Sequence, residues 1–252
     1  MIYFGHSGTL QHASTLSPST ALASGHLPLS SPPPPCGEGL SRAWFEWDRH
    51  LPAGLISRET HDSLLDLFGS FFAPWCIVLD MDQFKQGMCR CLTNSAQHPP
   101  LYRSTHYSPF LHNAVLSLAC TLWKGGQVQP FPFPDPTLHP NHLEPAAVAS
   151  NAFYDQAMRL VEGEMTRPIV STVRGMMLIA SINASRSRAT LGYTYAGTAF
   201  RMCSVLGLNI DCGRYVEKGT ILPQVRQSRD MLFHTAFVQE RVSILNLLNH
   251  QP

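Results

Sequence analysis

The amino-acid sequence predicts an all-α protein, and three observations predict it. Apolar residues recur at helical spacing, i, i+3, i+4 and i+7, in one stretch after another. Several of these stretches open on Ser or Asp, the residue types whose short side chains cap helix N-termini. No segment alternates apolar and polar residues as a half-buried strand does, and no βαβ spacing is present. The expected architecture is an irregular multi-helix domain of about seven helices after a disordered N-terminal segment.

The first element follows "LPAGLISRETHDSLLDLFGSFF". Pro52 and Gly54 mark a turn, Ser57 is the candidate cap, and Glu59 suits a first turn facing the positive end of the helix dipole. Leu64, Leu65, Phe68 and Phe72 then share one face. Pro74 breaks this pattern, and Asp80 is placed to cap "MDQFKQGMCRCL". Next comes "HYSPFLHNAVLSLACTLW", with Ser108 as cap, Pro109 at the first helical position and a stripe of Leu111, Val115, Leu118 and Leu122. A long helix spans "AAVASNAFYDQAMRLVEGEM" and ends before Pro168. Ser171 is read as the cap of "IVSTVRGMMLIASINASRSR", with Val173, Met176, Met177 and Ala180 on one side. The last helix, "PQVRQSRDMLFHTAFVQERVSILNLL", runs to about residue 248.

Residues 1–43 are Ser/Pro-rich, with Glu38 and Arg42 as their only charges. Such a segment buries too little side chain to offset its ordering entropy, and the expectation is disorder. "PPPP" at 32–35 reads as an extended spacer, with a recognition peptide for a proline-binding module as the rarer alternative. Residues 44–252 form the helical domain, interrupted by a Pro-rich loop at 124–145.

Composition narrows the function classes. The chain has 252 residues, 44% of them hydrophobic and only 14% charged, with a net charge of +1. That balance supplies no electrostatic reason for the chain itself to grip nucleic acid or an anionic membrane. No segment reaches the roughly 18 to 20 consecutive apolar residues that a membrane span needs. The seven cysteines are odd in number and mostly set in apolar helical surroundings, so free thiols in a reducing compartment are expected. Cys89 and Cys91 are spaced too closely for a tetrahedral zinc pair. His106, His112 and Cys120, and the loop group Asp135, His139, His142 and Glu144, are candidate metal groupings whose plainer reading is core and solvated loop. No phosphate loop, dinucleotide fingerprint, GxSxG elbow or HExxH occurs.

"LGYTYAGTAFRMCSVLGL", residues 191–208, has helical spacing yet carries Gly192, Gly197 and Gly207. Each helical glycine costs about 1 kcal/mol against alanine. Close approach of a neighbouring helix, above all around Gly197, would offset that cost through dispersion contacts. Gly207 is read as the C-cap, with Leu208 packing back. Arg201, on a face of small and apolar groups, calls for a carboxylate, with Asp230 and Glu240 as candidates, or must snorkel to water. Arg186 and Arg188 close the preceding helix, where cations suit the dipole and an anion site is a weaker option.

This stretch resembles the signature of the fungal-specific transcription factor domain. That is the regulatory middle region of fungal zinc-cluster regulators, also called the xylanolytic-activator regulatory domain. The family pattern falls on Tyr195, Gly197, Ala199, Arg201, Met202, Leu206, Gly207 and Leu208. "LPAGLISRETHDSLLDLFGSFFAPWCIVLD" resembles the domain's opening in the nitrogen-assimilation-activator branch, and "HYSPFLHNAVLSLAC", "RPIVSTVRGMMLIAS" and "RDMLFHTAFVQE" resemble later blocks in order. Arg174 stands where the family usually has glutamine. The likeness covers about residues 47–245.

The resemblance implies regulation of DNA-templated transcription in the nucleus, with other transcription proteins as partners and a small-molecule effector as a further one. It implies DNA binding through a six-cysteine zinc cluster in full-length relatives. Residues 1–47 hold only Cys36, so no cofactor is expected in this chain, and the resemblance implies neither a membrane nor enzymatic activity. Relatives continue past the last helix, and the domain reads as truncated or rewritten at its C-terminus. Two rival readings stay open: an interaction module competing for the partners of a full-length regulator, and a small helical enzyme.

Overall fold

The computed structural model describes residues 46–72, 79–93, 102–123 and 145–249. All of them fall within the unit Leu40–Pro252. The Ser/Pro-rich lead at 1–43 and the Pro-rich loop at 124–145, apart from Pro145, lie outside the described residues.

Each predicted helix is present, and most begin where the capping chemistry placed them. Ser57 accepts from the backbone N–H of Thr60 and starts α1, Arg58–Phe71. Asp80 accepts from the N–H groups of Asp82 and Gln83 at the head of α2, Met81–Leu92. Ser108 accepts from Leu111 N–H at the head of α3, Pro109–Leu122. The remaining elements are α4, Pro145–Thr166; α5, Val170–Ser185; α6, Ala189–Val205; α7, Gly213–Glu217; and α8, Pro223–Asn249. The five-residue α7 is an addition to the seven expected, too short to show a periodic apolar face.

One start differs. The N-cap position of α5 is Ile169, and Ser171 lies inside the helix. The Ser171 hydroxyl donates instead to the Ser104 carbonyl at 2.9 Å, tying α5 to the segment before α3. Thr172 takes the expected role in part, its hydroxyl accepting from Ile169 N–H at 3.1 Å.

The core is organised around α3 and α5, which pack on each other. Helices α1 and α4 lie on α3, α6 lies on α5, and α8 packs on both α5 and α6. A one-sided stripe understates this arrangement. Every residue of α3 from Pro109 to Cys120 is buried. Most of its polar side-chain atoms find partners inside, the exception being Asn113 Oδ1. Asn113 donates to the carbonyls of His50 and Pro109, and Ser117 exchanges hydrogen bonds with Ser150 of α4. The α3–α5 contact is closest at Gly175, where an added Cβ would overlap Cε1 of the buried Phe110 ring and lie 2.6 Å from its Cδ1.

A polar relay joins α1 to α3. His61 and His112, both fully buried, meet through their Nε2 atoms at 2.9 Å. Asp62 accepts from His61 Nδ1 at 2.8 Å, which leaves His61 Nε2 as an acceptor for His112 Nε2–H. His112 Nδ1 then accepts from the Tyr107 hydroxyl at 3.4 Å. Burial lowers the pKa of both imidazoles, most strongly that of His112, so both are neutral at neutral pH. Phe84 of α2 packs its ring edge-on to His112.

Cys91, Cys120, Cys203 and Cys212 are buried free thiols, as expected, whereas Cys89 is disulfide-bonded. On α8, Val238, Val242 and Leu245 stand exposed at i, i+4 and i+7.

Two outcomes follow from these contacts. Gly175→Ala should destabilise the chain by about 1–3 kcal/mol in urea unfolding, because Phe110 has no room to yield. Gly197→Ala should be neutral or mildly stabilising, because its Cβ meets only the flexible end of its own helix's Arg201. The buried imidazoles set a third outcome. Their folded pKa values lie below the unfolded 6.5, so the unfolded chain binds the extra protons. Stability should hold above pH 6.5 and fall as pH drops below it, by up to about 1.4 kcal/mol per pH unit for each imidazole. Replacing His61 and His112 together by leucine should flatten that slope in urea titrations across pH 5 to 8.

Candidate functional site

Three local structures converge on one cleft. The first is the head of α2. Asp80 Oδ2 accepts from the Gln83 side chain at 3.0 Å while its Oδ1 caps the helix, so Gln83 is held beside the cap. The second is the first two turns of α5. There Ser171 and Arg174 clip onto the carbonyls of Ser104 and Thr105. The third is the end of α6 and the start of α8. Gly207, at φ +64°, turns the chain, with Leu208 N–H bonded to the Cys203 carbonyl at 2.8 Å and Gly207 N–H to that of Ser204 at 3.0 Å. The Gly207 carbonyl accepts from Arg229 Nη2 of α8 at 2.7 Å.

Between these elements lies a cavity of about 540 Å³, lined by Leu79, Asp80, Gln83, Arg174, Gln227 and Met231 among others. A second of about 290 Å³ shares Gln83, Arg174, Gln224, Ser228 and Leu232 with it and adds His106, Leu208 and Arg229. Arg174 stands on the wall of both.

Its electrostatic position is unusual. Arg174 is only 4% exposed, yet no carboxylate among the described residues forms an ion pair with it. Its hydrogen bonds leave from Nη1, to the Thr105 carbonyl at 3.3 Å and His106 Nδ1 at 3.2 Å. Nε has no partner and no contact with water. Burial pushes the guanidinium pKa down to about 10, against the field of Asp80, and the group stays cationic at neutral pH. Glu164, the other deeply buried charge, is treated differently. It pairs with Arg103 at 3.0 Å and accepts from the Thr172 hydroxyl.

The signature residues are only partly where the sequence put them. Ala199, Met202 and Leu208 are buried, and Tyr195 and Leu206 pack half-buried against the core. Gly207 and Leu208 form the expected cap and also reach the cleft. The close approach expected at Gly197 occurs at Gly192 instead, where a Cβ would lie 3.2 Å from the Ala180 carbonyl oxygen and 3.4 Å from Ala184 N on α5. A Cβ at Gly197 would meet only the guanidinium of Arg201, with Nη1 at 3.2 Å. Arg201 itself is exposed and makes no ion pair among the described residues. Asp230 lies near Arg226, and Glu240 near Arg241. One turn of helix separates residues 197 and 201, so the long side chain folds back over the glycine on its way to water.

The other candidates separate. Arg186 is committed to α4, its Nη2 donating to Ser150 and its guanidinium lying 4.8 Å from the Tyr154 ring centroid. His112 pairs with His61 and not with Cys120, while His106 accepts from Arg174. The loop group of Asp135, His139, His142 and Glu144 lies outside the described residues. Among the described residues no three His, Cys, Asp or Glu side chains converge as metal ligands.

Sequence reasoning noted Arg174 only as a departure from the family's glutamine. It missed Arg229 and the His61–His112 contact, because partners 51 positions apart leave no local periodic signal. No described helix is long and apolar enough to cross a membrane.

Comparison with known proteins agrees with the block order along the chain. Residues 65–251 match the family described as fungal specific transcription factor domain. Over 152 residues, 59% of this chain, it is 26% identical to the nitrogen assimilation transcription factor nirA of Emericella nidulans, matching 14% of that protein. Over 119 residues, 46% of this chain, it is 31% identical to the nitrogen assimilation transcription factor nit-4 of Neurospora crassa, matching 10% of it. The chain thus spans a small part of the length of these curated relatives. No solved structure matches it. With the match running from within α1 to the end of α8, over the same helices that carry the signature, the chain belongs to the fungal specific transcription factor domain family.

Proposed function

We propose that this chain regulates transcription as the helical regulatory body of a fungal zinc-cluster type of regulator. The observation that carries this reading is the family match across residues 65–251. Both named relatives are transcription factors. On this reading the chain is no enzyme, and its work is conformational. The body would exist in two packing states that expose different surfaces, and a ligand or partner with unequal affinity for them would shift the balance. Residues 44–252 are its unit, with Tyr195, Gly197, Ala199, Arg201, Met202, Leu206, Gly207 and Leu208 as a structural signature.

Its partners are other transcription proteins in the nucleus. DNA is reached through the zinc cluster of full-length relatives, so any zinc requirement belongs to that unit and not to the helical body. The near-neutral charge of +1 supports this division of labour.

Tethering tests the reading. The full chain fused to a heterologous DNA-binding domain should raise or lower a reporter gene relative to that DNA-binding domain alone in a filamentous fungus. An unchanged reporter, with the fusion folded and present in nuclei, would count against regulation and leave the interaction-module reading to be tried by pull-down.

A further inference from the structure

We propose that the cleft between α2, α5 and α8 binds a small organic monocarboxylate, whose carboxylate docks on Arg174 with Arg229 as a second cation at the same wall. The first support is the missing counter-charge. A buried cation without an anionic partner is costly, and Glu164 shows that this fold supplies a partner when the charge is structural. Arg174, at 4% exposure, receives none.

The second support is geometry. The bonds from Nη1 to Thr105 and His106 fix the plane of the guanidinium and leave its Nε–Nη2 edge without a protein acceptor. Nε is closed off from water, so the donor left for a ligand carboxylate is Nη2, which offers a charge-assisted hydrogen bond. Arg229 likewise lacks a counter-charge among the described residues. Its Nη2 is held by the Gly207 carbonyl, and its Nε has no acceptor. Two arginines without a carboxylate partner among the described residues thus line one cavity.

The third support is the rest of the lining. The two cavities, about 540 and 290 Å³, have the size of metabolite sites. Leu79, Met231, Leu232 and Val170 offer apolar wall, and Gln224 and Gln227 offer neutral hydrogen-bonding groups. Asp80 and Asp82 also line the larger cavity. Asp80 is occupied as the α2 cap, yet both carboxylates repel a second negative charge. They therefore select one carboxylate over two and tolerate an amino group at the far end.

The binding claim is independent of the regulatory reading, since titration measures it without any reporter. The purified full chain is titrated by calorimetry with isovalerate, L-leucine, succinate, isopentylamine and inorganic phosphate, in a chloride buffer. Isovalerate or L-leucine should bind, succinate and phosphate more weakly, and isopentylamine not at all. Arg174→Gln should weaken the carboxylate by about tenfold or more, and Arg229→Gln by a smaller factor. Because Arg174→Gln removes a buried charge, its unfolding midpoint should stay level or rise, which separates lost binding from lost fold. Silence from both monocarboxylates, unchanged affinity in Arg174→Gln, or tighter binding of phosphate would each overturn the proposal.

Discussion

A positive charge held out of water without a negative one beside it is the constraint around which the cleft is arranged. Taking a guanidinium from water into a protein interior costs several kcal/mol after relaxation. The chain meets part of that cost with neutral acceptors, the Thr105 carbonyl and the His106 ring. Those same acceptors pull the 104–106 segment onto α5, and Ser171 adds a parallel bond one turn earlier. The position of the segment leading into α3, and hence the register of α3 on α5, is thereby coupled to the residue that lines the cavity. Packing finishes what the polar clips begin. Phe110, just inside α3, fills the notch that the absent Cβ of Gly175 leaves on α5, one residue after Arg174.

The interior satisfies many of its other polar groups by local pairing, while Asn113 Oδ1 and Glu164 Oε1 stay without a partner. Tyr107, His112, His61 and Asp62 form a directional chain of donors that needs no net charge at its centre. Ser117 and Ser150 pair across α3 and α4, and Gln239 of α8 donates to the Met177 carbonyl and to Ser181 of α5. Such contacts are modest individually, about 1 kcal/mol each, but leaving any one unmade inside is more expensive. They explain how helices with a full circumference of buried residues can carry Asn, Ser, His and Thr.

Much of the fold was legible because capping is local chemistry. Ser57, Asp80 and Ser108 sit within three residues of the N–H groups they satisfy, so their type and place name the helix starts. The stripe reading of α3 was incomplete because periodicity reports which residues are apolar, not how many sides of a helix are covered. The family signature was legible as a pattern, while its physical meaning was misplaced by five residues. Glycines at 192 and 197 look alike in sequence, and only the course of α5 shows that the first is the one approached. Of the cleft, Arg174 stood out as a departure from an expected glutamine. Arg229 did not, because its bond to the Gly207 carbonyl depends on how α8 crosses the turn after α6.

The exposed row of Val238, Val242 and Leu245 on α8 bears on how the molecule behaves in a tube. A chain with a net charge of +1 has little long-range repulsion to keep copies apart. An apolar strip is not screened by ionic strength, and excluded salts such as sulfate strengthen contacts between such strips. Colloidal behaviour should therefore respond to this edge of one helix, improving with mild chaotropes or a single added carboxylate there and worsening as salting-out agents are raised.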